Sequence, residues 1–171
     1  MAFDGIPPTP RPWASGLALA AAPPPAAGAR VLELGCGLGA PSIAAARAGA
    51  DVVATDGSTD AVAFAAHSLA LIEAQATVAH VDWSPAHPEH GEALVHGGPW
   101  DVVLAADVFY TRTNVQTALR LLPRLLRPGG ELRMADPGRV GAREFLAAAR
   151  ATFRVRSEPG REVTLHTLTP G

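Results

Sequence analysis

The 171 residues carry 14 arginines against 16 acidic side chains, a formal charge of −2, and 48% of them are apolar. That suits one soluble globular domain with a single core and excludes a dedicated nucleic-acid binder, which needs a basic face. A single cysteine excludes an internal disulfide, and no apolar run reaches the roughly 18 residues of a membrane span.

Lysine is absent while alanine and proline are abundant, a bias such as a GC-rich bacterial genome produces. No basic-then-apolar leader opens the chain, so the expected location is cytoplasmic. Residues 1–12 hold Pro7, Pro8, Pro10 and Pro12 and read as an irregular arm, with 13–171 as one domain. A short helix is predicted over 13–21, stopped by Pro23-Pro24-Pro25. Val31, Leu32 and Leu34 form a buried strand with Glu33 at its carboxyl end. Gly35, Gly37 and Gly39 follow in a tight loop, where glycine permits positive φ and lets a ligand approach bare backbone. Pro41 suits the first turn of a helix over about 40–48, and the free N–H groups at such a helix start face a ligand. Cys36, inside the loop, reads as a small space-filler rather than a nucleophile.

A second strand over 51–55 ends at Asp56-Gly57-Ser58, and helical periodicity runs over about 59–73. A third strand over 77–81 ends at Asp82-Trp83. Residues 84–99 read as loop with one helical turn. The fourth strand, 100–106, ends at Asp107-Val108-Phe109-Tyr110 and precedes a helix over about 114–126. A turn at 127–130 leads to a fifth strand over 131–135, which ends at Asp136-Pro137-Gly138-Arg139. After a helix over about 140–151, strands at 153–156 and 162–168 form an antiparallel hairpin. Strands alternating with helices imply an α/β fold, a mostly parallel sheet wrapped on both faces.

Glu33, Asp56, Asp82, Asp107 and Asp136 all follow or end strands. In an open parallel sheet those ends converge on the ligand crevice, although each acid could singly cap the next helix. Gly35 to Ala40 also satisfies the G-x-G-x-x-A fingerprint of dinucleotide sites, with Asp56 at the ribose spacing. Glu33 argues against a dinucleotide, because a carboxylate facing a pyrophosphate at about 4–6 Å would cost on the order of a kcal/mol or more. It suits S-adenosylmethionine, which carries a sulfonium and an ammonium.

Glu33-Leu34-Gly35-Cys36-Gly37-Leu38-Gly39 resembles motif I of the class I S-adenosylmethionine-dependent methyltransferases. Ala54-Thr55-Asp56 resembles their second motif, and Val81-Asp82-Trp83 their adenine site. The resemblance implies a Rossmann-like, doubly wound, mostly parallel seven-stranded sheet with an antiparallel C-terminal hairpin. It implies S-adenosylmethionine as cofactor, held by Trp13, Glu33, Gly35, Cys36, Gly37, Gly39, Asp56, Gly57, Ser58, Asp82, Trp83 and Ala106. Asp107-Val108-Phe109-Tyr110 has the D-x-x-Y form of the seven-strand protein lysine methyltransferases. Trp13 to Ala20 is similar to their W-P-x-G-x-x-L-A segment, with Ala14 in place of proline. Asp136-Pro137-Gly138-Arg139 resembles the branch acting on the electron transfer flavoprotein β-subunit.

This resemblance implies methyl transfer to a nitrogen of a protein lysine, with Asp107 and Tyr110 as catalytic residues. Asp107 would orient the amine and transiently accept its proton; Tyr110 would wall the methyl channel or bond the nucleophile. The alternatives are a small-molecule methyltransferase and a cofactor-binding scaffold without activity. No metal is expected, since His80, His87, His90 and His96 match neither a cysteine-paired site nor H-E-x-x-H.

Overall fold

The computed structural model describes residues 13–171; the proline-rich arm, 1–12, lies outside the described residues. Thirteen elements alternate between helix and strand through most of their length. They are α1 (Ala14–Ala21), β1 (Arg30–Leu34), α2 (Ala40–Arg47), β2 (Asp51–Asp56), α3 (Thr59–Leu71), β3 (Thr77–His80) and α4 (Pro88–Gly97). Then follow β4 (Trp100–Ala106), α5 (Arg112–Leu125), β5 (Leu126–Asp136), α6 (Val140–Ala149), β6 (Phe153–Pro159) and β7 (Thr164–Pro170).

One seven-stranded sheet runs in the order β3-β2-β1-β4-β5-β7-β6. β1 pairs in parallel with β2 and β4, β2 with β3, and β4 with β5; β7 is antiparallel to β5 and to β6. The order reverses between β1 and β4, so their carboxyl ends flank the switch point where open sheets bind ligands. The central strands are apolar on both faces because both faces are covered: Val31, Leu32, Val103 and Leu132 are fully enclosed.

The larger core lies between the sheet and α4, α5 and α6. It includes Trp100, Leu121, Leu122, Leu125 and Phe145, and Phe109 stacks on Phe145 with ring centroids 4.2 Å apart. On the other face Leu19 of α1 and Ala45 of α2 cover Val31, Val52, Val102 and Leu104, with Ala65 of α3 against Ala54. Alanine is the bulk of that layer, which lets the helices approach the sheet closely. No helix among the described residues is long and apolar enough to cross a membrane.

Two elements differ from expectation. The segment read as loop with one turn contains a ten-residue helix, α4, whose apolar anchor is Leu94 and whose carbonyl there accepts the Trp100 indole N–H at 3.0 Å. Strand β5 begins at Leu126, through the residues read as a turn, because Leu126 pairs with Trp100 before the register shifts to Val102 opposite Glu131.

Candidate functional site

The glycine loop is fixed from below. Cys36 N–H donates to the Thr55 carbonyl at 2.9 Å, and Gly39 N–H donates to the Cys36 carbonyl at 2.7 Å, closing the turn. Gly35 sits at φ +70°, and a Cβ there would lie 2.9 Å from a Val108 methyl, so the β4 loop leaves no room for a side chain. Gly37, at φ +53°, is the reverse case: a Cβ there would meet nothing within 4 Å. Its N–H donates to Asp56 Oδ2 at 2.9 Å. The loop is thus closed toward the protein and open above Gly37. Cys36 is buried with Ala54 and Ala65; burial first and then the Glu33 and Asp56 charges push its pKa well above the ordinary thiol range.

The Glu33 carboxyl group, expected to meet the cofactor, is bound through Oε2 to the start of α2, while Oε1 is buried without a hydrogen-bond partner. The Glu33 side chain is wholly buried. Oε2 accepts the Ser42 amide at 2.9 Å and also the Ser42 hydroxyl, so the carboxyl group satisfies a first-turn donor of α2 that has no intrahelical partner. Burial pushes its pKa up to about 8, against the opposing effect of the Ser42 hydrogen bonds. Its part is to hold the start of α2 against β1.

Asp56, half-buried at the end of β2, is locked by two backbone amides: Gly37 on Oδ2, and Ser58 on Oδ1 at 2.9 Å. A carboxylate so held has a fixed orientation with lone pairs still available for hydroxyl donors. Gly57 packs on Asp82, since a Cβ at Gly57 would lie 3.6 Å from the Asp82 Cα and Cβ. The β2 and β3 loops therefore adjoin. Asp82 Oδ1 accepts the Ser84 amide at 2.9 Å. Burial would raise its pKa, but the Ser84 amide and hydroxyl, with His87 and His90, hold it below the usual value. Trp83 is half-buried against the larger core. Trp13, at the start of α1, is 61% exposed, while Gly16 one turn on approaches Pro41 of α2. Ser58 also caps α3 by accepting the Ala61 amide at 3.4 Å, and Ala106 is half-buried at the end of β4.

Across the cleft, Asp107 adopts φ +58°, a strained value for a residue with a side chain. Its N–H donates to the Ala135 carbonyl at 2.9 Å. Arg139, in the loop after β5, grips its carboxylate in a fork: Nη2 donates to Oδ2 at 2.8 Å, and Nε donates to Oδ1. The Asp107 side chain is only 10% exposed, and the pairing holds the Arg139 pKa above the ordinary guanidinium range. Each Asp107 oxygen thus accepts one bond from the Arg139 guanidinium, which fixes the orientation of the carboxylate. Asp136 organises the loop beneath: Oδ1 accepts the Gly138 amide at 2.6 Å and the Arg139 amide at 2.7 Å. Tyr110 is half exposed on the same rim. Burial, then the charge of Asp56, push its phenol pKa above the ordinary value, which puts the hydroxyl in electrostatic reach of the β2 carboxylate.

Arg139, Ser42 and Asn114 were absent from the expected site residues. Asn114 Nδ2 donates to the Val108 carbonyl at 3.0 Å and fixes the Asp107–Tyr110 loop. Arg139 had a readable signal, an arginine immediately after a strand-ending Asp-Pro-Gly; Ser42 and Asn114 had none. Two hollows of about 190 and 380 Å³ lie elsewhere, between α1 and the β5-β7-β6 end of the sheet. In the first, Arg133 is already engaged by Glu131 at 2.5 Å. The strand-end cleft is the candidate site because the fixed carboxylates, the open loop and the Arg139 fork converge there.

Residues 32–132 match the family model described as a methyltransferase domain. A ubiquinone biosynthesis O-methyltransferase of Xanthomonas oryzae is 32% identical over 133 residues, covering 78% of this chain and 53% of that protein. The protein of that description from Escherichia coli is 28% identical, covering 77% and 52%. The chain spans about half the length of these curated relatives. Among solved structures, a TehB-like SAM-dependent methyltransferase from Corynebacterium glutamicum superposes with a TM-score of 0.66 at 20% identity, covering 91% of this chain and 87% of the other. A precorrin-6y C5,15-methyltransferase from Geobacter metallireducens gives 0.70 at 12% identity, covering 91% and 85%. Those two likenesses establish the fold.

Proposed function

We propose an acceptor for a chain that belongs to the methyltransferase domain family: this S-adenosylmethionine-dependent methyltransferase modifies an oxygen of a small molecule that carries an acidic hydroxyl. The residues of the cleft fit the cofactor. The open space over Gly37 admits a ligand against backbone, the fixed Asp56 carboxylate suits a ribose diol, and Asp82 lies beside Gly57 on the adenine side. Gly35, Gly39 and the Cys36 backbone shape the loop, and Glu33 with Ser42 anchors it from behind. The motif resemblance assigns Trp13, Ser58, Trp83 and Ala106 to the same cofactor. Bound there, the cofactor supplies a methyl carbon made electrophilic by its sulfonium.

The single observation that carries the choice of acceptor is the Arg139 fork on Asp107. A lysine acceptor, expected from the D-x-x-Y segment, would arrive as an ammonium and need a free carboxylate. Asp107 is occupied, and the Arg139 charge disfavours a second cation. An acidic hydroxyl has the opposite requirement. Near Arg139 its anion is attracted by the guanidinium N–H groups that Asp107 leaves unengaged, an attraction that the Asp107 carboxylate partly offsets. Holding the acceptor as its anion raises its nucleophilicity without a separate base. Tyr110 and Asn114 then bound the acceptor's side of the cleft. The curated relatives above, named as O-methyltransferases, support oxygen over lysine nitrogen.

The test is incubation with methyl-labelled S-adenosylmethionine and, in parallel, a panel of small phenols and hydroxy acids and a lysine-containing lysate. Label is expected in the ether of a small molecule. Label confined to protein lysine overturns the reading, and tight cofactor binding without transfer to either pool points to a scaffold.

A further inference from the structure

We propose that His87, Glu89 and His90 form a binding site for a late first-row divalent cation such as Zn²⁺ at the start of α4, independent of methyl transfer. The histidine spacing carries no familiar metal pattern, but folding the segment as a helix changes its geometry. His87 is the N-cap residue of α4 and His90 lies one turn on, where side chains three apart are neighbours. Each of the three residues offers a ligand atom, and these atoms all lie within 4.8 Å of one another. His87 Nδ1 is already 3.2 Å from Glu89 Oε1, and the two imidazoles stack with centroids 5.1 Å apart and planes 19° from parallel. To reach the bond lengths of about 2.0–2.2 Å that a zinc ion takes from imidazole and carboxylate, the exposed His87 ring must turn out of its stack on His90 so that both lone pairs meet one ion.

The surroundings supply what ligands need behind them. His90 Nδ1 meets the end of β3 from both sides: the Asp82 N–H donates to it at 3.1 Å, and the Asp82 carbonyl lies 3.2 Å away. Ligation of an ion through Nε2 places the proton on Nδ1, where it is donated to the Asp82 carbonyl in exchange for the bond from the Asp82 N–H, the arrangement that orients metal-bound histidine. His90 is half-buried and pre-positioned, whereas His87 and Glu89 are exposed and give an ion access. Asp82 Oδ2 stands 3.9 Å from His87 Nε2, so a second carboxylate offsets the charge of the ion from outside the ligand set. Two imidazoles and one carboxylate select Zn²⁺, Ni²⁺ or Cu²⁺ over Mg²⁺ and Ca²⁺, which prefer oxygen. Three protein ligands leave a coordination position for water. Because His90 is tied to Asp82, an ion here would brace the β3–α4 turn on the adenine side of the cleft.

The experiment is calorimetric titration of the untagged chain with Zn²⁺ and, separately, Mg²⁺ in a non-chelating buffer, with folding checked by circular dichroism. One Zn²⁺ per chain and no Mg²⁺ heat are expected. Glu89→Gln, on an exposed side chain with no part in the core, and His90→Ala should each weaken Zn²⁺ binding at least about tenfold, the scale of losses when metal shells are altered. His67→Gln and His96→Gln should leave it unchanged. No Zn²⁺ binding, or binding indifferent to Glu89 and His90 in folded variants, overturns the proposal. Neither readout depends on methyl transfer.

Discussion

The carboxyl group of Glu33 on β1 holds both the amide and the hydroxyl of Ser42 on α2, wholly out of contact with solvent. This buried pair has a pH signature. The folded-state pKa of about 8 lies above the ordinary 4.5. An unfolded chain releases this proton near pH 4.5, while the folded chain keeps it to about 8. The stabilising contribution is therefore complete below 4.5 and lost as pH rises through about 8. Thermal or urea melts should show stability falling across that window, at no more than roughly 1.4 kcal/mol per pH unit. Glu33→Gln, a neutral near-isostere, should flatten the profile; an equally steep slope in that variant would contradict the assignment.

Gly35 and Gly37 should separate structure from binding. Both require positive φ, so an alanine at either costs about 1–2 kcal/mol of backbone strain. Gly35→Ala adds a collision with the Val108 methyl and should lose roughly 1–3 kcal/mol more. Gly37→Ala has open space around its Cβ, yet that space is the ligand's. It should melt above Gly35→Ala while losing S-adenosylmethionine affinity out of proportion to its stability. Paired melts and calorimetry decide the matter.

Asp56→Ala removes a carboxylate held by Gly37 and Ser58. A hydrogen bond to a charged group contributes about 1.5–3 kcal/mol, so cofactor affinity should fall roughly 10- to 150-fold. Calorimetric affinity within a factor of about three of the parent would remove Asp56 from the site.

Arg139→Ala should abolish the anion-stabilising edge of the cleft. The nearest scale is loss of one oxyanion donor, which costs about 10²–10³ in kcat. The pH–rate profile for a small hydroxyl acceptor should also move upward, because the acceptor's own pKa is no longer depressed. Arg139→Lys should rescue little, since an ammonium cannot reproduce the fork. An unchanged profile would leave Arg139 a merely structural partner of Asp107.

The mostly parallel sheet was accessible from sequence because each central strand is a short apolar run closed by an acid or glycine, and alternation with helices imposes parallel pairing. Helix α4 was not, since Pro88, Gly91 and Gly97 punctuate it like a loop and only Leu94 is buried. The first residues of β5 were hidden by Pro128-Gly129-Gly130, which punctuate like a turn although Leu126 is paired with Trp100. The loop glycines and Asp56 were legible as candidate site residues from their spacing. The Glu33–Ser42 pairing was not, because β1 is enclosed on both faces and a buried acid there reads like one at a cleft. Nor was the Asp107–Arg139 fork, which joins residues 32 positions apart through two loops that meet only after the sheet forms.

The position of β7 between β5 and β6 leaves β3 and β6 as the outer strands. β3 is only four residues long. β6 exposes Arg154, Arg156 and Glu158, the last two bridged at 2.8 Å, and ends at Pro159, which has no amide hydrogen to donate. Neither border offers the long, flat, apolar template that recruits a foreign strand. A fold that carries 48% apolar residues thus guards itself against cross-chain β-pairing at its two margins.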